Sequence, residues 1–114
     1  MGRFIKGDIV VVPFPFSDLS QSKRRPALVL ADLEGDDLIL SQITSQNLYD
    51  SYSMSLLEDD FYEGTLNRES NIRPNKIFTA DENIVLYKAA HIKNEKMDEV
   101  TKRIIDIFKR MKME

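Results

Sequence analysis

The residues best suited to chemistry in this 114-residue chain lie in two places, a basic triplet and a strand end. Lys23, Arg24 and Arg25 stand directly before Pro26. A guanidinium is permanently charged and offers a planar fork that matches phosphate oxygens, and a proline behind it stiffens the start of the strand that carries it. Thr44 closes the apolar run Leu38-Ile39-Leu40-Ser41-Gln42-Ile43-Thr44, beside the polar neighbours Ser45 and Gln46. Its hydroxyl can donate to the same phosphate oxygen or orient an attacking group. Plainer roles compete with each: an Arg25–Asp18 surface ion pair, Thr44 as an ordinary β-branched strand residue, Lys23 and Arg24 as solvated charges. Zero Cys excludes disulfides, thiolate metal sites and cysteine nucleophiles, and a single His, His91, excludes a multi-histidine centre within one chain.

These residues need a scaffold, and the chain is long enough for one domain and one core, at roughly 100–200 residues per domain. Gly7-Asp8 followed by Ile9-Val10-Val11-Val12 reads as a turn feeding a strand, with Pro13 and Pro15 demoting the next few residues to an edge or loop. Residues 17–25 are polar and read as an exposed loop. Pro26–Ala31 and Leu38–Thr44, joined by Glu34-Gly35-Asp36-Asp37, give a hairpin. Further strands are expected at Ser53–Leu57, Arg73–Thr79 and Ile84–Ala90. Short strands at this spacing predict a mainly β fold, a small barrel or a strongly bent sheet. Met97, Val100, Ile104, Ile107, Phe108 and Met111 recur at helical spacing after Asn94, an N-cap candidate, and predict one amphipathic C-terminal helix whose apolar face packs on the core or on a second copy. No segment suggests a second domain, so residues 1–114 are read as one.

Charge is segregated along the chain although the net is only −3. Residues 1–30 carry five basic and two acidic side chains, residues 31–66 nine acids and no Lys or Arg, and residues 67–114 eleven basic and eight acidic. Such a chain can present a basic face to a phosphate backbone and an acidic face elsewhere. With no leader-like start and no apolar run near the ~20 residues of a membrane span, a cytoplasmic protein is expected.

Gly7-Asp8-Ile9-Val10, Phe14-Pro15-Phe16-Ser17-Asp18 and Ser22-Lys23-Arg24-Arg25-Pro26-Ala27-Leu28-Val29-Leu30 together resemble the opening of MazF/PemK-type toxins, the ribonuclease halves of type II toxin–antitoxin pairs. The similarity continues through Ser41-Gln42-Ile43-Thr44-Ser45-Gln46 and Ser70-Asn71-Ile72-Arg73-Pro74-Asn75-Lys76-Ile77-Phe78-Thr79-Ala80-Asp81. The resemblance implies an SH3-like barrel of about five to seven short strands with a C-terminal helix. It further implies a homodimer, a cognate acidic MazE-like antitoxin peptide, and sequence-selective cleavage of single-stranded RNA without a metal or other cofactor. In such a reaction the RNA's own 2′-hydroxyl attacks and leaves a 2′,3′-cyclic phosphate and a 5′-hydroxyl.

Carried onto this chain, the resemblance implies Arg25 and Thr44 as catalytic residues. Asp18 is the carboxylate placed to move a proton. Phe16, Ser17, Lys23, Arg24, Ser45, Gln46 and Arg73 are the candidate RNA contacts, Phe16 as a stacking face in competition with half-buried packing and Arg73 as a second cation from another strand. The chain departs from some members in having no His in the loop before Arg25-Pro26, and in having Phe78 where they place an Arg. A catalytically silent RNA-binding relative is therefore an alternative. A gyrase-poisoning toxin of the same barrel is another, disfavoured by an end, Lys112-Met113-Glu114, that lacks an aromatic tail.

Overall fold

The structure, a computed structural model, describes residues 3–14, 23–46 and 50–113. Seven strands run β1 (Asp8–Phe14), β2 (Lys23–Asp32), β3 (Asp37–Thr44), β4 (Met54–Leu56), β5 (Phe61–Gly64), β6 (Ser70–Asp81) and β7 (Tyr87–Ile92), closed by helix α1 (Asn94–Arg110). They form one antiparallel sheet in the order β4-β6-β3-β2-β1-β7-β5, curled into a half-barrel. This is the mainly β fold with a C-terminal helix that the sequence predicts. Among the described residues no helix is long and apolar enough to cross a membrane.

The sheet is apolar on both faces, which explains the uninterrupted β-branched run of β1. Ile9, Leu28, Ile43 and Ile72 point to one face, where Met97 and Val100 of α1 cover them. Val10, Val12, Ala27, Val29, Leu38 and Leu40 point to the other, against Phe4, Phe78, Ile84 and Val85. Burying one such aliphatic side chain contributes about 1.5–3 kcal/mol, so the two clusters supply most of the driving force.

Local chemistry sets the ends. Gly7 takes φ +98°, a conformation open to glycine, and turns the chain into β1. The Gly35 turn, φ +73°, joins β2 to β3 as a hairpin. Helix α1 begins one residue earlier than the expected cap implies: Lys93 is the N-cap and Asn94 the first helical residue. Only the first half of its apolar stripe is core. Met97 and Val100 are buried and Ile104 packs on them, whereas Phe108 and Met111 are exposed.

Three further expectations are corrected. Lys23–Arg25 belong to β2 and pair with β1, Arg25 opposite Val12, because the ladder with β1 supplies backbone partners that no side-chain pattern reveals. β5, Phe61–Gly64, has no strand signature; it is an edge held by β7 through Phe61↔Ile92 and Gly64↔Ala90. The last expected strand starts at Tyr87 because Glu82–Ile84 forms a 3₁₀ turn, capped by the Asp81 carboxylate accepting from the Asn83 N–H at 2.8 Å.

Candidate functional site

A proline opens the site. The β2–β3 ladder pairs Asp32↔Leu38 through Ala27↔Gln42 and stops there; Pro26, next in line, has no N–H with which to extend it. The start of β2 stays with β1 alone and the end of β3 turns to β6, Thr44 facing Asn71. Between them lies a cleft of about 490 Å³, closed by the β5–β6 connection.

Five side chains define its chemistry. Lys23, Arg24 and Arg25 come from β2, Thr44 from the end of β3, and Arg68 from the β5–β6 connection; Ser45, Asn67 and Ser70 add polar lining. Continued by two residues, the β2–β3 register sets Arg25 opposite Thr44, on the same face of the sheet. Arg25 is half-buried and Thr44 buried, while Lys23, Arg24 and Arg68 reach solvent. The four cations have no carboxylate partner among the described residues. Four positive charges around one cleft, none paired with a described carboxylate, make an anion site. Thr44 Oγ1 accepts the Gln46 N–H at 3.2 Å, which anchors the oxygen and leaves its proton to donate into the cleft.

Arg25, Thr44, Lys23, Arg24 and Ser45 are thus brought together. Gln46 lies at the rim without lining the cleft; its backbone accepts Asn71 Nδ2 at 3.3 Å. Arg73 does not line the cleft either: its Nη2 holds the Asp50 carboxylate at 2.9 Å. Phe16, Ser17 and Asp18 lie outside the described residues. Sequence reasoning missed Arg68. Asn67-Arg68-Glu69 reads as a solvated turn, and only the topology that brings the β5–β6 connection across the cleft gives it a role.

His91 is placed elsewhere, on β7, its Nδ1 2.7 Å from the carboxylate of Asp8, which is buried and also accepts the Ile5 N–H at 2.9 Å. Lys88 joins the same group, 3.4 Å from Asp8 and 2.7 Å from Glu63. The Glu63 carboxylate, and then the Asp8 charge, raise the Lys88 pKa above its ordinary value against the effect of desolvation. This network ties β1, β5 and β7 together and lies outside the basic cleft.

The molecule is thus a curled antiparallel half-barrel with one C-terminal helix and a basic cleft beside an Arg-Pro strand start. The chain belongs to the family of PemK-like, MazF-like toxins of type II toxin–antitoxin systems, whose model matches residues 5–108. No curated protein sequence matches it significantly. Among solved structures it is similar to an endoribonuclease in complex with its cognate antitoxin from a mycobacterial species (TM-score 0.73, 8% identity, 96% of this chain and 98% of that one). It is similar also to MazE–MazF from Deinococcus radiodurans (TM-score 0.73, 17% identity, 94% and 97%) and to the Mycobacterium tuberculosis toxin MazF-mt6 (TM-score 0.68, 12% identity, 90% and 96%).

Proposed function

We propose that this toxin is an endoribonuclease that cleaves single-stranded RNA, mRNA in the cell, at selected sequences and without a metal. The observation that carries the reading is the convergence of Arg25, Thr44 and three further cations on one cleft without carboxylate partners among the described residues. The 2′-hydroxyl gives up its proton as its oxygen attacks the adjacent phosphorus, the bond from phosphorus to the 5′-oxygen breaks, and that oxygen takes up a proton, leaving a 2′,3′-cyclic phosphate and a 5′-hydroxyl. Arg25 neutralises the charge that builds on the non-bridging oxygens, and Thr44 donates to one of them. Lys23, Arg24 and Arg68 hold the flanking phosphates, Ser45 and Gln46 border the path of the strand, and Phe16 and Ser17 extend it. Asp18 is assigned to proton transfer. Two copies form the working dimer in the cytoplasm, and a MazE-like acidic antitoxin covers the basic cleft in competition with RNA.

The described lining of the cleft holds no carboxylate or imidazole, which favours a second reading, RNA binding without cleavage. One experiment separates them: the purified protein is incubated with a long RNA in EDTA and the fragment ends are mapped. Discrete cuts with 5′-hydroxyl ends that disappear in Arg25→Ala support the nuclease. Retention of intact RNA supports the second reading.

A further inference from the structure

Gln46, two residues after Thr44, is held by β6, and the turn at 50–53 is held by β6 and α1. Asn71 of β6 donates to the Gln46 carbonyl at 3.3 Å, and the Gln46 N–H in turn donates to Thr44 Oγ1 at 3.2 Å. Further along, Asp50 accepts three hydrogen bonds, from the Tyr52 and Ser53 amides, each at 3.0 Å, and from Arg73 Nη2 at 2.9 Å. The Ser53 amide, with the Tyr52 amide and the Arg73 charge, holds the Asp50 carboxyl below its usual range, against a desolvation that pushes it up. The Arg73 guanidinium is turned inward: its side chain is 15% exposed, and Nε is buried without a hydrogen-bond partner among the described residues. The Arg73 carbonyl accepts Ser41 Oγ, which fixes its backbone to β3. From the other side, Arg103 of α1 donates to the Ser51 and Tyr52 carbonyls at 3.2 and 3.1 Å.

We propose that Arg73 is a positioning residue. Through Asp50 it ties the turn at 50–53 to β6, the strand whose Asn71 pairs with Thr44 and holds Gln46, and so keeps the Thr44 hydroxyl at the cleft; it touches no phosphate itself. This deepens the nuclease reading and rests on it. A phosphate-binding Arg73 would need an open guanidinium, whereas this one is spent on a carboxylate whose other acceptor positions fold the chain around it.

The test compares Arg73→Met, Asp50→Asn, the double variant and Arg73→Lys in cleavage of a long single-stranded RNA in EDTA. If Arg73 positions Thr44, both single variants lose kcat by roughly tenfold or more with KM nearly unchanged. The double variant is no worse than either single one, Arg73→Lys recovers most of the rate, and the Gln46 amide exchanges hydrogen faster in both single variants. If Arg73 instead binds phosphate, Arg73→Met raises KM while Asp50→Asn, which frees the guanidinium, lowers it, and the inference is overturned. It is overturned equally if both variants cut at the wild-type rate. A wild-type protein that cuts nothing defeats the nuclease reading first, a result distinct from either of these.

Discussion

Replacing Thr44 by Val removes one oxygen from a position that is 9% exposed and keeps its shape. The folded protein loses the bond from the Gln46 amide, long at 3.2 Å and belonging to an exposed residue that water can rehydrate. The stability cost is therefore that of one weak hydrogen bond, below about 1 kcal/mol. On the proposed mechanism the transition state loses more, because there the hydroxyl donates to an oxygen carrying charge in a cleft with four cations. A hydrogen bond to a charged group is worth about 1.5–3 kcal/mol, and each 1.4 kcal/mol is a factor of ten, so cleavage should slow roughly ten- to a hundredfold. Thr44→Ser keeps the donor and should retain most of the rate. Single-turnover cleavage of RNA in EDTA, beside urea unfolding of the same samples, measures both quantities. A Thr44→Val protein of native stability that cuts within about twofold of wild type would refute the role given to this hydroxyl.

Other expectations rest on the same geometry. Arg25→Lys keeps the charge but not the planar fork, and should lose at least about tenfold in kcat while still binding RNA in a filter assay. Gly64→Ala places a Cβ 2.4 Å from the Ala89 carbonyl oxygen at φ +70°, and should lower stability by more than about 2 kcal/mol in urea unfolding; Gly35→Ala, with open space around it, should cost only about 1 kcal/mol. Asp8→Ala strips His91 and Lys88 of a buried partner and leaves the Ile5 amide unpaired, a loss of about 3 kcal/mol by the same measurement. Because the Asp50 pKa is lowered in the folded state, its contribution to stability is complete above the unfolded carboxylate value, about 3.9, and fades as pH falls toward the lower folded value; Asp50→Asn should flatten that acid limb of the stability curve. Lys88, raised, stabilises below its unfolded value of about 10.4 and stops doing so as pH rises through the folded one, so the deficit of Lys88→Met should shrink at strongly alkaline pH.

Local chemistry made part of this molecule readable from its residues. Gly7-Asp8 before four β-branched or aliphatic positions, and the acidic turn around Gly35, each have one good conformational solution, and both appear where expected. Arg25 and Thr44, singled out as a guanidinium beside a rigid residue and a hydroxyl at a strand end, line one cleft. Features set by distant partners were not legible. β5 exists because β7 offers it an edge, Arg68 reaches the cleft only through the path of the β5–β6 connection, and Arg73 reads as a free cation until Asp50, distant in sequence, is seen to hold it. The Phe108 and Met111 end of the α1 stripe fits the helical period as well as Met97 does, yet it stands exposed, outside the core cluster that Met97, Val100 and Ile104 join.

The position of β1 has a consequence for the newborn chain. The first strand to leave the ribosome lies between β2 and β7, so half of its backbone waits for residues 87–92 to be made. Until then an aliphatic ribbon from Ile9 to Val12 stands with one side bare, a template for unwanted pairing. Joining segments so far apart in sequence is slow, on the order of milliseconds to seconds for β-rich domains. A chain built this way completes its sheet only after its last strand has been made.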